Sequence, residues 1–148
     1  MIHLREIDYE NFVECIGLEH KDERFVGSPL LTLASSYVSR HHMTTYGIYA
    51  DEIMVGMVQI RDKPSELGNI YAFSELFIAD NHLRKGYGSA AVKVILDKLR
   101  REKALTHFTI CVDDENEIAR NMYKMCGFRE GKRVDWDDRY LEMVIDLI

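Results

Sequence analysis

The residues most suited to chemistry in this chain form a short loop at positions 84–89, with the sequence Arg-Lys-Gly-Tyr-Gly-Ser. An apolar pattern with helical spacing follows at once, so the glycines lie where a helix begins. The first N–H groups of a helix have no acceptor within the helix, and glycine lets them approach an anion closely. Arg84 and Lys85 add two positive charges. The loop therefore predicts a phosphate or pyrophosphate site, with a plain strand-to-helix turn as the alternative.

Two phosphate-binding patterns can be compared with this loop. The Walker sequence GxxxxGK[ST] occurs nowhere in the chain. The dinucleotide pattern GxGxxA is matched by Gly86, Gly88 and Ala91, and Asp113 ends the next predicted strand, where a ribose-binding carboxylate would stand. A dinucleotide fold needs two βαβ halves, however, and only one such unit is predicted. Dinucleotide binding, in which NAD would raise the melting temperature, is therefore the second interpretation.

A second group of residues has the spacing of one helix face. Asn116, Ala119 and Tyr123 lie at i, i+3 and i+7, so a helix through residues 115–127 aligns them on one side. The small Ala119 leaves room for a ligand between the two larger side chains. In the alternative interpretation, Tyr123 is a structural aromatic that packs against Met122 or Met125.

The predicted elements that position these residues alternate between strands and helices. Strands are predicted at residues 2–7, 44–50, 53–60, 69–79, 107–112 and 140–147, and helices at 10–17, 30–39, after the glycine loop, and at 115–127. The second and third strands form a hairpin with Asp51 and Glu52 near its turn. This order predicts an α/β fold of the α+β kind, in which helices cover both faces of a mixed sheet, as one domain over residues 1–148.

Composition and charge narrow the possible functions. The chain has 148 residues and a formal net charge of −6, which disfavours nucleic-acid binding because that needs a basic footprint. No apolar run is long enough to cross a bilayer and no signal segment begins the chain, so we expect a cytoplasmic protein without a membrane partner.

The cysteine spacing predicts neither a disulfide nor a zinc site, and Cys111 is expected in the core. His41 and His42 have no evident third ligand, so no metal is expected.

Two segments together resemble the GNAT superfamily of N-acetyltransferases. The first is ELFIADNHLRKGYGSAAVKVIL at residues 75–96, and the second is DDENEIARNMYKMCGFREGKR at residues 113–133. The second matches the family's Asn–x–x–Ala–x–x–x–Tyr–x–x–x–Gly–Phe signature at Asn116, Ala119, Tyr123, Gly127 and Phe128. The resemblance implies the GNAT fold, with a central and mostly antiparallel sheet.

The resemblance also implies acetyl-CoA as the cosubstrate. The cofactor pyrophosphate would lie on the loop of Arg84, Lys85, Gly86, Tyr87, Gly88 and Ser89, and the helix-face residues Asn116, Ala119 and Tyr123 would complete the site. The pantetheine would pair with the backbone of Leu76, Phe77 and Ile78. One position departs from the family, because Leu83 stands where Gln or Arg is usual and the basic residue has moved to Arg84. The backbone N–H contacts are unaffected by this change.

Acetyl transfer needs a neutral amine and a proton for the departing thiolate. The resemblance places the Tyr123 phenol near the thioester sulfur. A phenol titrates near pH ~10 and a thiol near ~8.5, so Tyr123 enters protonated and acts as general acid.

Glu75 is the predicted base. Strict alternation of side chains along the strand puts Glu75 on the same face as Phe73 and Phe77, whose rings would withdraw its carboxylate from water, and puts Ser74 on the opposite face. Alternatively, Glu75 binds a cationic substrate or faces solvent.

A small cationic amine is the expected acceptor. Segments 23–38 and 134–143 loosely resemble the small bacterial polyamine (spermine/spermidine) acetyltransferases. Acidic and aromatic side chains of the chain would bind an extended cation, namely Glu23, Tyr37, Asp135, Trp136, Asp137, Asp138 and Glu142. A protein or peptide amine, an aminoglycoside, and CoA binding without catalysis are the alternatives. A homodimer through the C-terminal strands is a family-level expectation.

Overall fold

The structure, a computed structural model, describes residues 1–63, 73–102 and 107–146. Its strands are β1 (Ile2–Glu6), β2 (Thr44–Ala50), β3 (Ile53–Ile60), β4 (Phe73–Ile78), β5 (His107–Asp113), β6 (Arg129–Arg133) and β7 (Tyr140–Asp146). The helices are α1 (Phe12–Ile16), α2 (Pro29–Val38), α3 (Tyr87–Glu102) and α4 (Glu117–Met125), and a 3-10 turn (Asp80–His82) follows β4.

The predicted elements are present, with different ends. Helix α1 begins at Phe12 instead of residue 10, because the Asp8 side chain accepts a hydrogen bond from the Glu10 N–H at 2.9 Å and makes a turn there. Helix α4 ends before Gly127, which has φ +104° and closes the helix with the Phe128 N–H donating to the Tyr123 carbonyl at 3.0 Å. Residues 69–72 and 147 of the predicted strands lie outside the described residues.

The strands form two sheets in the part of the chain that the structure describes. One has the order β1-β2-β3-β4 and the other β5-β7-β6, and every recorded pair is antiparallel. The central antiparallel arrangement is therefore confirmed, and it is unlike the doubly wound parallel sheet of dinucleotide-binding folds. Strand β4 ends the first sheet and β5 begins the second, so a gap opens where the two sheets meet.

Helices cover both faces of the first sheet, as predicted. Helices α3 and α4 pack on one face, in a core that includes Val58, Ile95, Phe108 and Met143. The other face carries a smaller core, in which Cys15 of α1 is fully buried. Burial of such apolar side chains contributes roughly 1.5–3 kcal/mol each to stability and fixes the strand edges at the gap.

Among the described residues, no helix has the length and apolar character needed to cross a membrane.

Candidate functional site

Strand β4 is bent at Glu75, which has a positive φ of 51°. The β3–β4 register shifts between Met57 and Gln59, the signature of a β-bulge that inserts an extra residue on one strand. The alternation predicted for this strand is therefore wrong at the bulge. Phe73 packs in the core beneath α3 and α4, whereas Phe77 packs in the smaller core on the opposite face. Glu75 does not share one face with both aromatic rings.

The bulge directs Glu75 towards a pocket between β4 and β5. This β4–β5 pocket has a volume of about 310 Å³. Glu75 is half-buried, and its Oε2 accepts a hydrogen bond from the Gly27 N–H at 3.2 Å. Ser74 lines the same pocket, although alternation had placed it on the other face. Ser74 and Glu75 therefore reach the same space.

The glycine loop precedes α3 with an unusual backbone. Arg84 and Gly86 both have positive φ values, 65° and 78° respectively. The first helical hydrogen bond after the loop runs from the Ala90 N–H to the Gly86 carbonyl at 3.1 Å. The N–H groups of Tyr87, Gly88 and Ser89 precede that bond, so they lie in the first turn, where N–H groups have no acceptor within the helix. This arrangement suits an anion, as the sequence predicts.

A groove of about 320 Å³ runs beside this loop between β4 and the start of α4, and is called the β4–α3 groove here. It brings together most of the predicted cofactor-binding residues: Leu76, Phe77, Ile78, Arg84, Gly86, Tyr87, Gly88, Ser89, Asn116 and Ala119. Lys85 does not line it. Lys85 lines a separate cavity with Asp51 and Glu52 of the β2–β3 turn, because the loop turns sharply between neighbouring residues.

Four further residues line the β4–α3 groove. They are His82, Leu83, Ile118 and Met122, none of which the sequence predicted as a binding residue. Ile118 is 85% exposed at the start of α4, and Met122 lies one helical turn later on the same side. Apolar residues at i and i+4 on the helix face of the small Ala119 are the sequence signal that would have found Ile118 and Met122.

Tyr123 projects from α4 into the β4–β5 pocket. Its ring packs against Phe73 at 6.1 Å and Phe128 at 5.7 Å between centroids. The alternative packing on Met125 is wrong, since Met125 is 86% exposed. Burial raises the pKa of the Tyr123 phenol above its usual value, so the phenol holds its proton at neutral pH. Within the described part of the chain, no group makes a hydrogen bond to the phenol.

Asn116 caps α4 and joins the two spaces. Its side-chain oxygen accepts a hydrogen bond from the Ala119 N–H at 3.2 Å, as expected of an N-cap residue. Asn116, Ala119 and Leu76 line both the β4–α3 groove and the β4–β5 pocket, so the spaces adjoin at these residues. A ligand extending along the groove past Ala119 therefore reaches the pocket that holds Tyr123.

The charged side chains that line the β4–β5 pocket are both acidic, Glu75 and Asp113. Asp113 is buried, and its Oδ1 accepts a hydrogen bond from the Glu115 N–H at 3.0 Å. Neither carboxylate forms an ion pair with a described residue. Trp136 and Tyr140 add an aromatic surface to the same pocket, with ring centroids 5.1 Å apart.

The other side chains predicted to bind a cation lie elsewhere. Asp137 pairs with Arg139 at 3.4 Å, and the Tyr37 ring packs beneath Arg40. Glu142 lines a separate cavity on the outer face of the second sheet. Glu23, Asp135 and Asp138 do not line the β4–β5 pocket either. Of that predicted set, only Trp136 lines the pocket, and Asp137 and Tyr37 are instead engaged by neighbouring arginines.

Cys111 lines this pocket and is half-buried, so its predicted place in the core is wrong. Strand β5 directs Phe108, Ile110 and Val112 into the core, and alternation turns Cys111 outward. Burial raises the pKa of the Cys111 thiol to about 11, so it is neutral at physiological pH. Among the described residues, no cluster of three or more His, Cys, Asp or Glu side chains has the arrangement of a metal site.

Comparison with known protein families gives a match over most of the chain. The sequence model of the acetyltransferase (GNAT) family matches residues 3–128, which include both motifs. No sequence among the curated proteins matches the chain.

Solved structures share the fold at low sequence identity. The spermidine N-acetyltransferase of Vibrio cholerae, in complex with CoA and spermine, is 19% identical with a TM-score of 0.69, over 98% of this chain and 95% of that chain. An aminoglycoside acetyltransferase in complex with coenzyme A is 16% identical with a TM-score of 0.78, over 99% and 95%. The NatC complex bound to Gag peptide and CoA contains a chain 18% identical with a TM-score of 0.69, over 99% and 99%.

Proposed function

Because this chain belongs to the GNAT family of acetyl-CoA-dependent acetyltransferases, we propose that it transfers the acetyl group to a primary amine of a small polycation such as spermidine or spermine. The observation that carries this acceptor class is the charge of the β4–β5 pocket, whose charged lining residues are the carboxylates Glu75 and Asp113, neither of which forms a salt bridge with a described residue. Carboxylates of this kind, when partly withdrawn from water, favour a cation that replaces their lost hydration.

The donor would occupy the β4–α3 groove. The N–H groups at the start of α3 would receive the CoA pyrophosphate, with Arg84 contributing a side-chain charge. The pantetheine would follow the backbone of Leu76, Phe77 and Ile78, and the thioester would reach the β4–β5 pocket beside Ala119. The adjoining geometry of groove and pocket supports this path.

Arg84 and Lys85 make a matched test of the donor site. They are neighbouring cations, but only Arg84 lines the β4–α3 groove. We expect Arg84→Ala to raise the KM for acetyl-CoA about tenfold, and Lys85→Ala to change it by less than about twofold, because one charge-assisted hydrogen bond contributes roughly 1.5–3 kcal/mol. Steady-state kinetics at low and moderate salt measure both. Equal effects of the two substitutions would contradict the proposed position of the pyrophosphate.

The transfer step needs one acid and one base. The neutral amine nitrogen forms a bond to the thioester carbonyl carbon while the carbon–sulfur bond breaks. The Tyr123 phenol gives its proton to the departing sulfur, and the amine loses a proton to a base. The buried phenol is suited to this role because it is protonated and no described residue engages its oxygen.

We assign the base to Glu75, which lies in the same pocket. The substitution Glu75→Gln keeps an oxygen that can accept from the Gly27 N–H, so it removes the charge and preserves that bond. We expect kcat to fall about tenfold at neutral pH and to recover as pH rises, because an alkyl amine then deprotonates in solution near pH ~10. A pH–rate profile of unchanged shape would show that Glu75 binds the cation without acting as base.

The acceptor class is tested by comparing a polyamine with a monoamine. Spermidine and n-butylamine offer the same reacting group, but only spermidine carries further charges for the second carboxylate and the Trp136–Tyr140 surface. We expect kcat/KM for spermidine to exceed that for butylamine by tenfold or more, the ratio expected of one further charged contact of about 1.4 kcal/mol. Equal values would contradict recognition of a polycation.

A further inference from the structure

Residues 19–27 form a loop that supplies Phe25 and Val26 to the wall of the β4–β5 pocket. No helix or strand lies between α1 and α2, so this loop has no regular structure of its own. Ordering the backbone of a loop costs conformational entropy, so a defined pocket wall requires contacts that hold the loop in place.

The start of the loop is held by Asp80. The Asp80 N–H donates to the Glu19 carbonyl at 2.7 Å, and Asp80 Oδ2 accepts from the Lys21 N–H at 3.0 Å. His20, between these two residues, stacks on the Phe77 ring with centroids 4.3 Å apart. Three successive loop residues therefore contact β4 or the turn that follows it.

The end of the loop is held by Glu75 through the Gly27 N–H, at 3.2 Å. Between the two ends, Asp22 and Arg24 are exposed and pair with each other at 2.7 Å, a contact that stays inside the loop. Val26 also packs against the smaller core, and carboxylates at both ends of the loop tie it to β4 and the turn that follows.

Asp80 also begins the segment that leads into the donor site. It is the first residue of the 3-10 turn Asp80–His82, directly before the loop at residues 84–89. The capping residue of that turn, Ala79, makes no side-chain hydrogen bond, and the turn is closed by backbone bonds. Within the described residues, the Lys21 N–H is the hydrogen-bond donor to the Asp80 carboxylate. Removal of the Asp80 carboxylate therefore leaves the turn and the donor groove intact.

We propose that Asp80 is a positioning residue for the acceptor: its carboxylate fixes the 19–27 loop, and thereby Phe25 and Val26, against the cofactor-binding strand. The kinetic part of this proposal rests on the proposed function, in which the β4–β5 pocket receives the acceptor amine. Loss of the Asp80–Lys21 bond loosens one wall of the acceptor pocket without touching Tyr123 or the β4–α3 groove.

The test combines kinetics with NMR hydrogen exchange. We expect Asp80→Ala to raise the KM for spermidine about tenfold, with kcat and the KM for acetyl-CoA within about twofold of wild type, as for loss of one charge-assisted hydrogen bond. The Lys21 amide then exchanges faster. Asp80→Asn keeps an oxygen that can accept from the Lys21 N–H, so we expect the KM for spermidine and the exchange rate of the Lys21 amide to return to wild-type values. Asp97→Ala, which removes an exposed carboxylate on α3, is the matched control.

A second variant reaches the same bond from the other side. Lys21→Pro removes the N–H donor and leaves Asp80 in place, so it must reproduce the rise in acceptor KM even if Asp80→Ala fails to fold. An unchanged KM for spermidine, or an equal rise in the KM for acetyl-CoA, overturns the proposal. If no amine is acetylated, the proposed function fails, and exchange at the Gly27 amide, which donates to Glu75 at the far end of the loop, decides the role of Asp80: faster exchange in Asp80→Ala supports it and unchanged exchange overturns it.

Discussion

Replacing Tyr123 with phenylalanine is expected to lower kcat about a hundredfold, because the proton for the departing thiolate is lost while the ring remains, and general acid catalysis typically contributes 10²–10⁴-fold. The phenylalanine ring keeps the contacts with Phe73 and Phe128, so the fold and the KM for acetyl-CoA change little. Thiol release from acetyl-CoA under saturating amine measures the effect.

The pH dependence of the wild-type enzyme gives a second readout of Tyr123. Burial raises the pKa of this phenol above its usual value, so it stays protonated throughout the neutral and mildly alkaline range. Loss of activity on the alkaline side below pH ~10 is therefore not expected from this group. The same shift affects stability. In the unfolded chain the phenol is exposed and ionises near pH ~10, whereas in the folded protein it stays protonated, so the free energy of unfolding of the wild type falls as pH rises above ~10. The free energy of unfolding of Tyr123→Phe falls less.

Tyr49→Phe is the matched control for Tyr123→Phe. Tyr49 is also buried, but it lies in the smaller core on the opposite face of the sheet, where its hydroxyl accepts a hydrogen bond from Asn11 at 3.3 Å. We expect kcat to change by less than about twofold there, since no reacting group is near. A Tyr123→Phe enzyme with wild-type kcat would exclude the phenol as the general acid.

Gly56→Ala is expected to destabilise the protein by about 3 kcal/mol, the upper range for forcing an added group into a packed site. Gly56 pairs with Ile78 across the β3–β4 ladder, and an added Cβ would lie 2.2 Å from the Phe77 carbonyl oxygen. That neighbour is backbone, so β4 itself must move. Because β4 supplies the backbone proposed to bind pantetheine, the KM for acetyl-CoA should rise as well.

Gly47→Ala provides the control for this substitution. Gly47 lies on the adjacent strand β2, where an added Cβ would meet the Cε of Met54 at 2.8 Å. That atom ends a flexible side chain that can change rotamer, so we expect a loss of about 1 kcal/mol. Urea unfolding of both variants gives the free energies. Equal losses of unfolding free energy in the two variants would show that Gly56 is not needed for the close approach of the β4 backbone.

The local signals in the sequence were sufficient to predict the fold and to mark two segments that come together in it. Glycines before a helical pattern and the i, i+3, i+7 spacing of Asn116, Ala119 and Tyr123 depend on nearby residues only, so they could be interpreted without a structure. The residues they marked do line adjoining spaces. Strand β6 was missed because its residues, REGKR, are all exposed and show no apolar alternation; pairing with β7 makes it a strand.

The non-local features were not predictable in the same way. The bulge at Glu75 arises from pairing between β3 and β4, and strict alternation therefore placed Phe73 and Phe77 together although they enter opposite cores. The hydrogen bonds from the 19–27 loop to Glu75 and Asp80 join residues that are distant in sequence, so neither the composition nor the periodicity of the sequence indicates them. The acidic residues near the C-terminus suggested a cation site by their charge, whereas the carboxylates that line the β4–β5 pocket are Glu75 and Asp113.

Mass spectrometry of the amine product formed from acetyl-CoA and spermidine, by the wild-type enzyme and by Tyr123→Phe, decides whether this enzyme acetylates a polyamine. We expect a spermidine product heavier by one acetyl group, formed much more slowly by Tyr123→Phe. Acetylation of a peptide N-terminus or an aminoglycoside, with spermidine left unmodified under the same conditions, would contradict the assignment of spermidine or spermine as the acceptor.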